Sequence, residues 1–403
     1  MLTIYPFTPN RSKCKILLEV IKVRELNIGK CIIKKRKEKG MTQEQLADYI
    51  GVSKASVSKW ESGLSFPDIL LLPELATYFN ISLDELLGYS PQLTKEDIKK
   101  IYNKLSHEFA IKPFDEVVNQ CKELIKKYYS CFPFLISMIQ LLLNYSILEK
   151  DEVIRKEILK QCILLSRRIK EESDSISDIK NANTMEALAE ITLGNSEEVI
   201  RLLDNQLIPY SGEDVILINA YQMRGETLKA KEVNQIRLYN KVINVLTILN
   251  SYLYLNMMEP VLFEKVYSQG IQIIDSFMLN EIFTNDIFGI HIIAAQGYLI
   301  QEKKEKAIGA LKEYVKTVCN IKFPLSFKGN EYFTKVGKWF EDNNCIGGNT
   351  PVDEITIKKN LVSAVVENPA FKLLEDDERY ILLVKKLKGK LDGENECNKY
   401  RKS

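Results

Sequence analysis

Residues 53–59, with the sequence SKASVSK, bring hydroxyl and ammonium groups together at short spacing. In a helix that begins at Ser53, the apolar residue Val57 faces inward and its neighbours are left to solvent. These neighbours are small or basic: Ser53, Lys54, Ala55, Ser56, Ser58 and Lys59. Hydroxyl and ammonium groups donate to phosphate oxygens, lysines reach base edges, and small residues let a helix enter the major groove. The segment therefore predicts contact with double-stranded DNA.

Capping residues and apolar spacing predict the helices that position this segment. Thr42 followed by Gln45 is a capping box, which predicts a helix that stops at Gly51. Ser53 caps the next helix, which reaches Ser62. The turn between these two helices is so short that they must cross steeply, and the second one projects. The other helices predicted in this region are residues 28–39, 68–79 and 83–87.

The run from residue 40 to residue 88 resembles the lambda-repressor and Cro-like (XRE) helix-turn-helix family. The matching segments are GMTQEQLADYIGVSKASVSKWESGLSFPD and LLPELATYFNISLDELLG. They include the Thr-Gln start of the second helix, the Gly turn and the Trp-Glu-x-Gly end of the third helix. The resemblance implies a five-helix bundle that binds as a homodimer to a palindromic DNA operator.

The same resemblance implies roles for residues around the projecting helix. Gln43 would bond a phosphate and brace the third helix. Ser62 and Ser65, in the loop that follows, would also bond phosphate. Arg36 matches a common basic position of the family, and two alternatives stay open for it: it contacts DNA, or it pairs with Glu61.

The residues that would face base edges include one departure from the family pattern. Many relatives carry Gln or Arg at the position of Ala55. An alanine methyl can touch a thymine methyl but cannot hydrogen-bond a base. Base recognition is therefore expected to depend on Lys54 and Lys59, and the preferred DNA sequence does not follow from the residues.

Charge in this region is unevenly distributed along the chain. Basic residues outnumber acidic ones between residues 24 and 60, whereas every charge between residues 61 and 90 is acidic. One basic face is what a phosphate-binding surface needs. The alternative for the lysine run at residues 34–39 is an ordinary solvated helix face.

From residue 93 onward, apolar spacing predicts helix after helix. The predicted pairs are 95–111 with 113–130, 132–148 with 152–172, 179–193 with 196–207, 213–224 with 227–246, 247–257 with 260–277, and 285–300 with 303–319. Further helices are expected at 328–341 and 353–366. The segments ALAEITLG and AAQGYLIQ resemble degenerate tetratricopeptide helices, a family with paired helices and a period of about 34 residues. The fold class is therefore all-α: a DNA-binding domain followed by a tetratricopeptide-like α-solenoid.

Stacked helix pairs form a concave groove that can hold an extended peptide or a partner protein. Asn219, Gln222, Asn250 and Tyr254 are predicted on helices that would line it, where asparagine side chains can hydrogen-bond a peptide backbone. The alternative is that these are ordinary exposed polar residues and packed aromatics.

The cysteines, the longest apolar stretch and the lack of catalytic motifs limit the classes of protein that this chain can belong to. The eight cysteines include no CxxC pair, which indicates a reducing cytoplasm rather than a disulfide scaffold. The longest apolar stretch, residues 132–148, contains Gln140 and Asn144 and is too short and polar for a membrane span. We identify no catalytic motif, metal site or cofactor site, so we expect a protein that is not an enzyme.

The N-terminus poses a separate question. Residues 18–22 can be encoded by a purine-rich sequence of the kind that precedes bacterial start codons, and Val23 by GTG, so we hypothesise that translation begins there. The alternative is a genuine short arm that touches DNA. The predicted domains are an N-terminal extension at 1–23, a DNA-binding domain at 24–90, a helical repeat domain at 91–390 and a disordered tail at 391–403.

Two functional hypotheses follow. The first is a cytoplasmic bacterial transcription regulator whose repeats serve dimerisation and peptide or protein sensing, an architecture similar to the peptide-responsive regulators of Gram-positive bacteria. The second is a protein-interaction scaffold that its helix-turn-helix domain tethers to DNA.

Overall fold

A computed structural model of the chain describes residues 28–89, 92–204, 212–282, 285–344 and 346–400, with side chains to Leu391. Within these ranges the regular structure is helical, apart from an isolated β-bridge between Ser326 and Asn349. The chain divides into two compact units, of which the first comprises the described residues to Asp97 together with Leu124–Cys131. The predicted extension at residues 1–23, including the proposed start at Val23, lies outside the described residues.

The first unit contains the five predicted helices. They are α1 (Ile28–Glu38), α2 (Gln43–Ile50), α3 (Lys54–Glu61), α4 (Leu72–Phe79) and α5 (Leu83–Leu87), with a 3-10 turn at Ile69–Leu71 before α4. Each helix contributes one fully buried aliphatic side chain to a shared core: Ile32, Leu46, Val57, Leu75 and Leu86. The five-helix bundle is therefore confirmed.

Fourteen further helices follow in the described residues. They are α6 (Lys95–Ile111), α7 (Phe114–Lys127), α8 (Phe132–Ser146), α9 (Glu152–Glu172), α10 (Ile176–Thr192), α11 (Ser196–Leu203), α12 (Glu213–Met223), α13 (Thr227–Leu255), α14 (Pro260–Ser276), α15 (Asn285–Ile300), α16 (Lys304–Asn320), α17 (Val336–Asn343), α18 (Glu354–Val366) and α19 (Glu378–Tyr400). A 3-10 segment, Pro369–Leu374, lies between α18 and α19.

In the second unit, helices adjacent in the sequence pack against each other. The pairs α9 with α10, α12 with α13, and α15 with α16 are each joined by a three-residue connection, which makes them antiparallel hairpins. From α13 onward, the helices of the second unit bury one shared apolar core. Nearest-neighbour packing of helical hairpins is the arrangement predicted from the tetratricopeptide-like segments.

The largest departure from the predicted helices is α13. The sequence predicted a break near residue 246, but α13 runs unbroken from Thr227 to Leu255. Thr247 is accommodated inside it because its hydroxyl donates to the carbonyl of Ile243 at 3.0 Å. One helix of 29 residues thus replaces two predicted ones.

Two smaller predictions also differ from the structure. The helix predicted at 328–341 begins only at Val336, because the Asn330 side chain accepts hydrogen bonds from the backbone of Tyr332 and Phe333 and so forms a turn. The backbone of α19 stays helical through Tyr400, where a disordered tail was predicted from residue 391. In the described part of the chain, no helix is both long and apolar enough to span a membrane.

Candidate DNA interface

Two caps set where α3 begins: Ser53 at its own N-terminus and Gly51 at the C-terminus of α2. Ser53 has an extended backbone, and its hydroxyl accepts the Ser56 backbone N–H at 3.2 Å. Upstream, Gly51 ends α2 in the left-handed conformation, at φ 77°, which glycine adopts without strain. The Thr42–Gln45 capping box is formed as predicted, with both of its hydrogen bonds present.

The inner face of α3 packs closely on α1. Val57 and Trp60 are buried, and Gly29 of α1 lies against the end of α3. A Cβ atom at Gly29 would sit 2.3 Å from the Trp60 carbonyl oxygen, well inside van der Waals contact. The closeness of α1 and α3 therefore depends on a residue without a side chain at position 29.

A hydrogen-bond hub at Glu61 ties three helices of the first unit together. Arg36 of α1 donates to both Glu61 carboxylate oxygens, from Nε at 2.5 Å and from Nη2 at 2.9 Å. Gln43 of α2 donates to the same carboxylate from Nε2 at 2.8 Å. The Arg36 and Glu61 side chains are only 12% and 6% exposed, so water screens the pair poorly.

This hub contains the pairing with Glu61, which is one of the two alternatives for Arg36. Its third hydrogen bond goes to the Met41 carbonyl at 2.6 Å, so the guanidinium is held by the protein. The pairing with Glu61 is thus the arrangement present, and the predicted DNA contact of Arg36 gains no support. Gln43 braces α3 as predicted, while its second amide N–H stays free of the Glu61 bond and its phosphate contact stays a prediction.

The carboxyl of Glu61 responds to two opposing effects. Burial raises its pKa, but hydrogen bonds from Arg36 and Gln43 favour the charged form and leave the pKa below its ordinary value. The same contact raises the pKa of Arg36. The hub is therefore an ion pair at neutral pH.

The outer face of α3 presents the predicted contact residues to solvent. Lys54, Ala55, Ser58 and Lys59 are all exposed. Lys54 Nζ lies 3.2 Å from Glu44 Oε2 of α2, and both of these side chains are at least 60% exposed. A surface pair of this kind is weak, so Lys54 can exchange it for another anion.

The predicted hydroxyl contacts differ in how available they are. The hydroxyls of Ser53 and Ser56 lie 2.9 Å apart, so each already has a partner. Ser62 is exposed and donates to the Lys59 carbonyl at 3.1 Å, whereas Ser65 is half-buried. Ser58 and Ser62 therefore adjoin the lysines on the exposed side of α3, and their phosphate contacts stay predictions.

One feature of this unit escaped the sequence reasoning. The loop after α3 and the following 3-10 turn expose four large apolar side chains: Leu64, Phe66, Ile69 and Leu70. No sequence pattern above predicts a role for these four residues. A clustered apolar surface is typical of a protein contact.

The second unit contains a cavity of about 480 Å³ beside α13. Asparagine and aromatic side chains dominate its lining, which includes Asn240, Asn244, Thr247, Asn285, Phe327 and Phe340. This size lies in the usual range for ligand sites.

The predicted groove residues are placed differently with respect to this cavity. Tyr254 is exposed and follows Asn240 and Thr247 at seven-residue steps, so it lies on the cavity side of α13. Asn250 is buried, and its Nδ2 donates to the Asp286 carbonyl at 2.9 Å. Asn219 and Gln222 are exposed on α12 and do not line the cavity.

An acidic cluster in the second unit was also not predicted. Oxygen atoms of Glu186, Glu190 and Glu198 lie within 4.8 Å of one another, close enough to share a cation. Arg167 approaches all three carboxylates, and Lys170 lies 2.5 Å from Glu186. Arg201 also pairs with Glu198, so three cations of the protein balance the three carboxylates.

Comparison with known proteins agrees with the geometry of the first unit. Residues 32–86 match the family described as Helix-turn-helix (HTH_3). The chain is similar to the HTH-type transcriptional activator BcrR of Enterococcus faecalis, with 39% identity over 74 residues, which cover 17% of this chain and 36% of BcrR. It is also similar to the uncharacterized HTH-type transcriptional regulator YqaE of Bacillus subtilis, with 31% identity over 104 residues, which cover 25% of this chain and 86% of YqaE.

The matched regions have different extents in these relatives. The chain spans about a third of the length of BcrR but most of the length of YqaE. Among solved structures, PlcR of Bacillus thuringiensis in complex with the peptide PapR7 and DNA aligns over 94% of this chain and 98% of its own, at 14% identity and a TM-score of 0.28.

Proposed function

Because the chain belongs to the HTH-type transcriptional regulators, we propose that it binds double-stranded DNA sequence-specifically and regulates transcription in the cytoplasm. It binds a palindromic operator as a homodimer and carries out no catalysis. The observation that carries this proposal is the outer face of α3, where Lys54 and Lys59 stand free of the core among small side chains.

The contacts of α3 explain how such a face could read DNA. The Glu61 hub and the packing of Trp60 hold the helix in one orientation, so its outer residues need not be ordered on binding. Lys54 can leave Glu44 for a base edge or a phosphate oxygen. Lys59, which lies five residues further along α3, is also exposed and can reach the same groups. Ala55 between them allows close approach to the groove floor.

A double substitution tests this proposal. Lys54→Ala with Lys59→Ala should weaken operator binding, each contact contributing roughly 1–3 kcal/mol, and should lose discrimination against random DNA. The control, Lys34→Ala with Lys37→Ala, removes the same charge from the exposed side of α1. This control should lower the affinity for operator and random DNA equally, because it removes only salt-dependent attraction to phosphates. Unchanged discrimination in the folded α3 variant would contradict the proposal.

We also propose that the cavity beside α13 binds a short peptide. The amides of Asn240, Asn244 and Asn285 can each donate to and accept from a peptide backbone, while Phe327 and Phe340 offer apolar contact to a side chain. Paired amides with adjacent aromatic rings suit an extended peptide better than a small anionic metabolite, since the charged residue among those that line this cavity is the acidic Asp286.

Peptide binding can be tested with a synthetic pool of random heptapeptides. The full-length protein should retain a defined subset, which mass spectrometry identifies, and Asn240→Ala with Asn244→Ala should abolish retention. Asn219→Ala with Gln222→Ala, on α12, serves as the matched control and should retain the same peptides. The reverse pattern would place the site on α12, and no retained peptide would favour the scaffold hypothesis.

A further inference from the structure

Three contiguous aromatic rings line the cavity beside α13. They belong to Tyr239, Phe327 and Phe340, and we call them the aromatic cluster. The Phe327 and Phe340 rings are nearly parallel, with centroids 5.0 Å apart and an angle of 23° between their planes. The Tyr239 ring stands at 90° to that of Phe340, with centroids 6.0 Å apart. Because the rings differ in orientation, a group inside the cavity can meet a ring face, and ring faces attract cations.

An acidic residue lies beside this aromatic cluster. Asp286, in the first turn of α15, lines the same cavity. Its charge acts on Tyr239: burial raises the pKa of that phenol to about 12, and the neighbouring Asp286 carboxylate contributes to the rise. A carboxylate has about four sites that accept hydrogen bonds, so it can bind a ligand donor in addition to its contacts within the chain. Negative charge and ring faces therefore meet at one place in the cavity.

The position of Asp286 has a second explanation, which needs no ligand. An acidic residue in the first turn stabilises a helix by interacting with the helix dipole. Asp178 is the corresponding residue in the first turn of α10, and it is half-buried like Asp286, but it does not line the cavity. The two aspartates therefore separate a ligand-binding role from a helix-stabilising one.

A lysine or arginine side chain matches both the rings and the carboxylate. Its methylene stem packs on apolar surface while its charged head donates to a carboxylate. Phe327 and Phe340 are half-buried, so a cation held against them is partly shielded from water, which strengthens its attraction to a ring face. A peptide with acidic side chains would instead be repelled by Asp286.

We propose that the peptide bound in this cavity is basic, and that one of its lysine or arginine side chains lies between the aromatic cluster and Asp286. The inference rests on the peptide binding in the proposed function and adds the chemistry of the peptide. The amides of Asn240 and Asn244 hold the peptide backbone, and Asp286 selects the side chain.

A pool of random heptapeptides with acetylated N-termini and amidated C-termini tests the preference, because only side chains then carry charge. The full-length protein should enrich peptides that contain lysine or arginine at least about tenfold over peptides that contain neither. Mass spectrometry of the retained fraction measures this ratio. A second pool with free N-termini shows whether a terminal ammonium can replace the side chain.

A mutant cycle locates the cation in the cavity. Asp286→Asn removes the charge at nearly constant size, and it should weaken binding of the most enriched peptide about 10- to 100-fold in isothermal titration calorimetry. Replacement of the basic residue of that peptide by norleucine should weaken binding to the wild type similarly. With the norleucine peptide, Asp286→Asn should cause no further loss. Asp178→Asn is the matched control and should leave the affinity unchanged.

A second variant tests the rings. Phe327→Leu keeps an apolar side chain but removes a ring face, so it should weaken binding of the basic peptide more than binding of its norleucine analogue. Circular dichroism and thermal unfolding verify that each variant folds.

Failure of this inference is distinguishable from failure of peptide binding. Retained peptides without an excess of lysine or arginine would overturn the inference and leave peptide binding intact. Additive losses in the cycle, or wild-type affinity in Asp286→Asn, would overturn the placement of the cation at Asp286. Retention only of peptides with free N-termini would assign the cation to the terminus and overturn the side-chain proposal. If neither pool contains a retained peptide, peptide binding itself is wrong, and this inference with it.

Discussion

Replacement of Glu61 by alanine should destabilise the first unit strongly. The substitution removes three hydrogen-bond acceptances, two from Arg36 and one from Gln43. It also leaves the Arg36 guanidinium charged with most of its side chain shielded from water. Breaking a buried ion pair by removing one partner costs about 3–5 kcal/mol. Since Arg36 keeps its bond to the Met41 carbonyl, we expect the free energy of unfolding to fall by about 3 kcal/mol, the lower end of this range.

Urea unfolding of the full-length chain can measure this loss. The chain has two tryptophans, and Trp60 is buried in the first unit, so a Trp339→Phe background makes Trp60 fluorescence report that unit. The free energies of unfolding of wild type and Glu61→Ala are compared with the same m value, the slope of that free energy against urea concentration. Arg36→Met and the double variant complete a mutant cycle.

The cycle distinguishes an ion-pair hub from simple loss of packing. Removal of both charges leaves no uncompensated group, so the double variant should be more stable than the two single losses predict, by at least about 1.5 kcal/mol. Additive losses, or a Glu61→Ala effect below about 1 kcal/mol, would refute the argument that this buried pair holds α3.

Four further predictions concern stability. Gly29→Val should destabilise the first unit by at least about 1–3 kcal/mol, because its side chain would clash with the Trp60 carbonyl. Gly309→Ala in α16, where no neighbouring atom lies within 4 Å of the added Cβ, should stabilise the second unit by about 0.5–1 kcal/mol. Chemical denaturation measures both changes. Thr42→Ala should cost about 1 kcal/mol by removing the cap of α2, and wild-type stability in this variant would show the cap to be dispensable. His291 is buried, and burial lowers its pKa from 6.5 to about 4. The neutral imidazole therefore contributes its full stability above pH 6.5, and this contribution is lost as the pH falls toward 4. The second unit should therefore be about 2 kcal/mol less stable at pH 5 than at pH 7, and His291→Gln should lack that part of the pH dependence.

The first unit was largely predictable because its determinants are local. Thr42, Gly51 and Ser53 mark helix ends through bonds to residues three or four positions away, and those bonds are present. Apolar spacing identified the buried residues Val57 and Trp60 in the same way. The choice between DNA and Glu61 for Arg36 was not predictable, because it depends on a contact 25 residues away.

The second unit was less predictable for the same reason. The break expected near Thr247 was wrong because a hydroxyl bond to Ile243 is compatible with a continuous helix. Asn250 was expected to be in a groove, yet its amide is buried against the Asp286 carbonyl. The cavity combines α13 with Phe327 and Phe340, which are distant in sequence, so no local pattern could indicate it.

Selection of bound duplexes from a random DNA pool, with the full-length protein at near-physiological salt, tests the central claim most directly. The account predicts enrichment of one palindrome, with half-sites about one helical turn apart, and loss of that enrichment in the Lys54→Ala, Lys59→Ala variant. A pool that stays random with wild type, or a palindrome that both proteins enrich equally, would contradict the assignment of α3 as the reading helix.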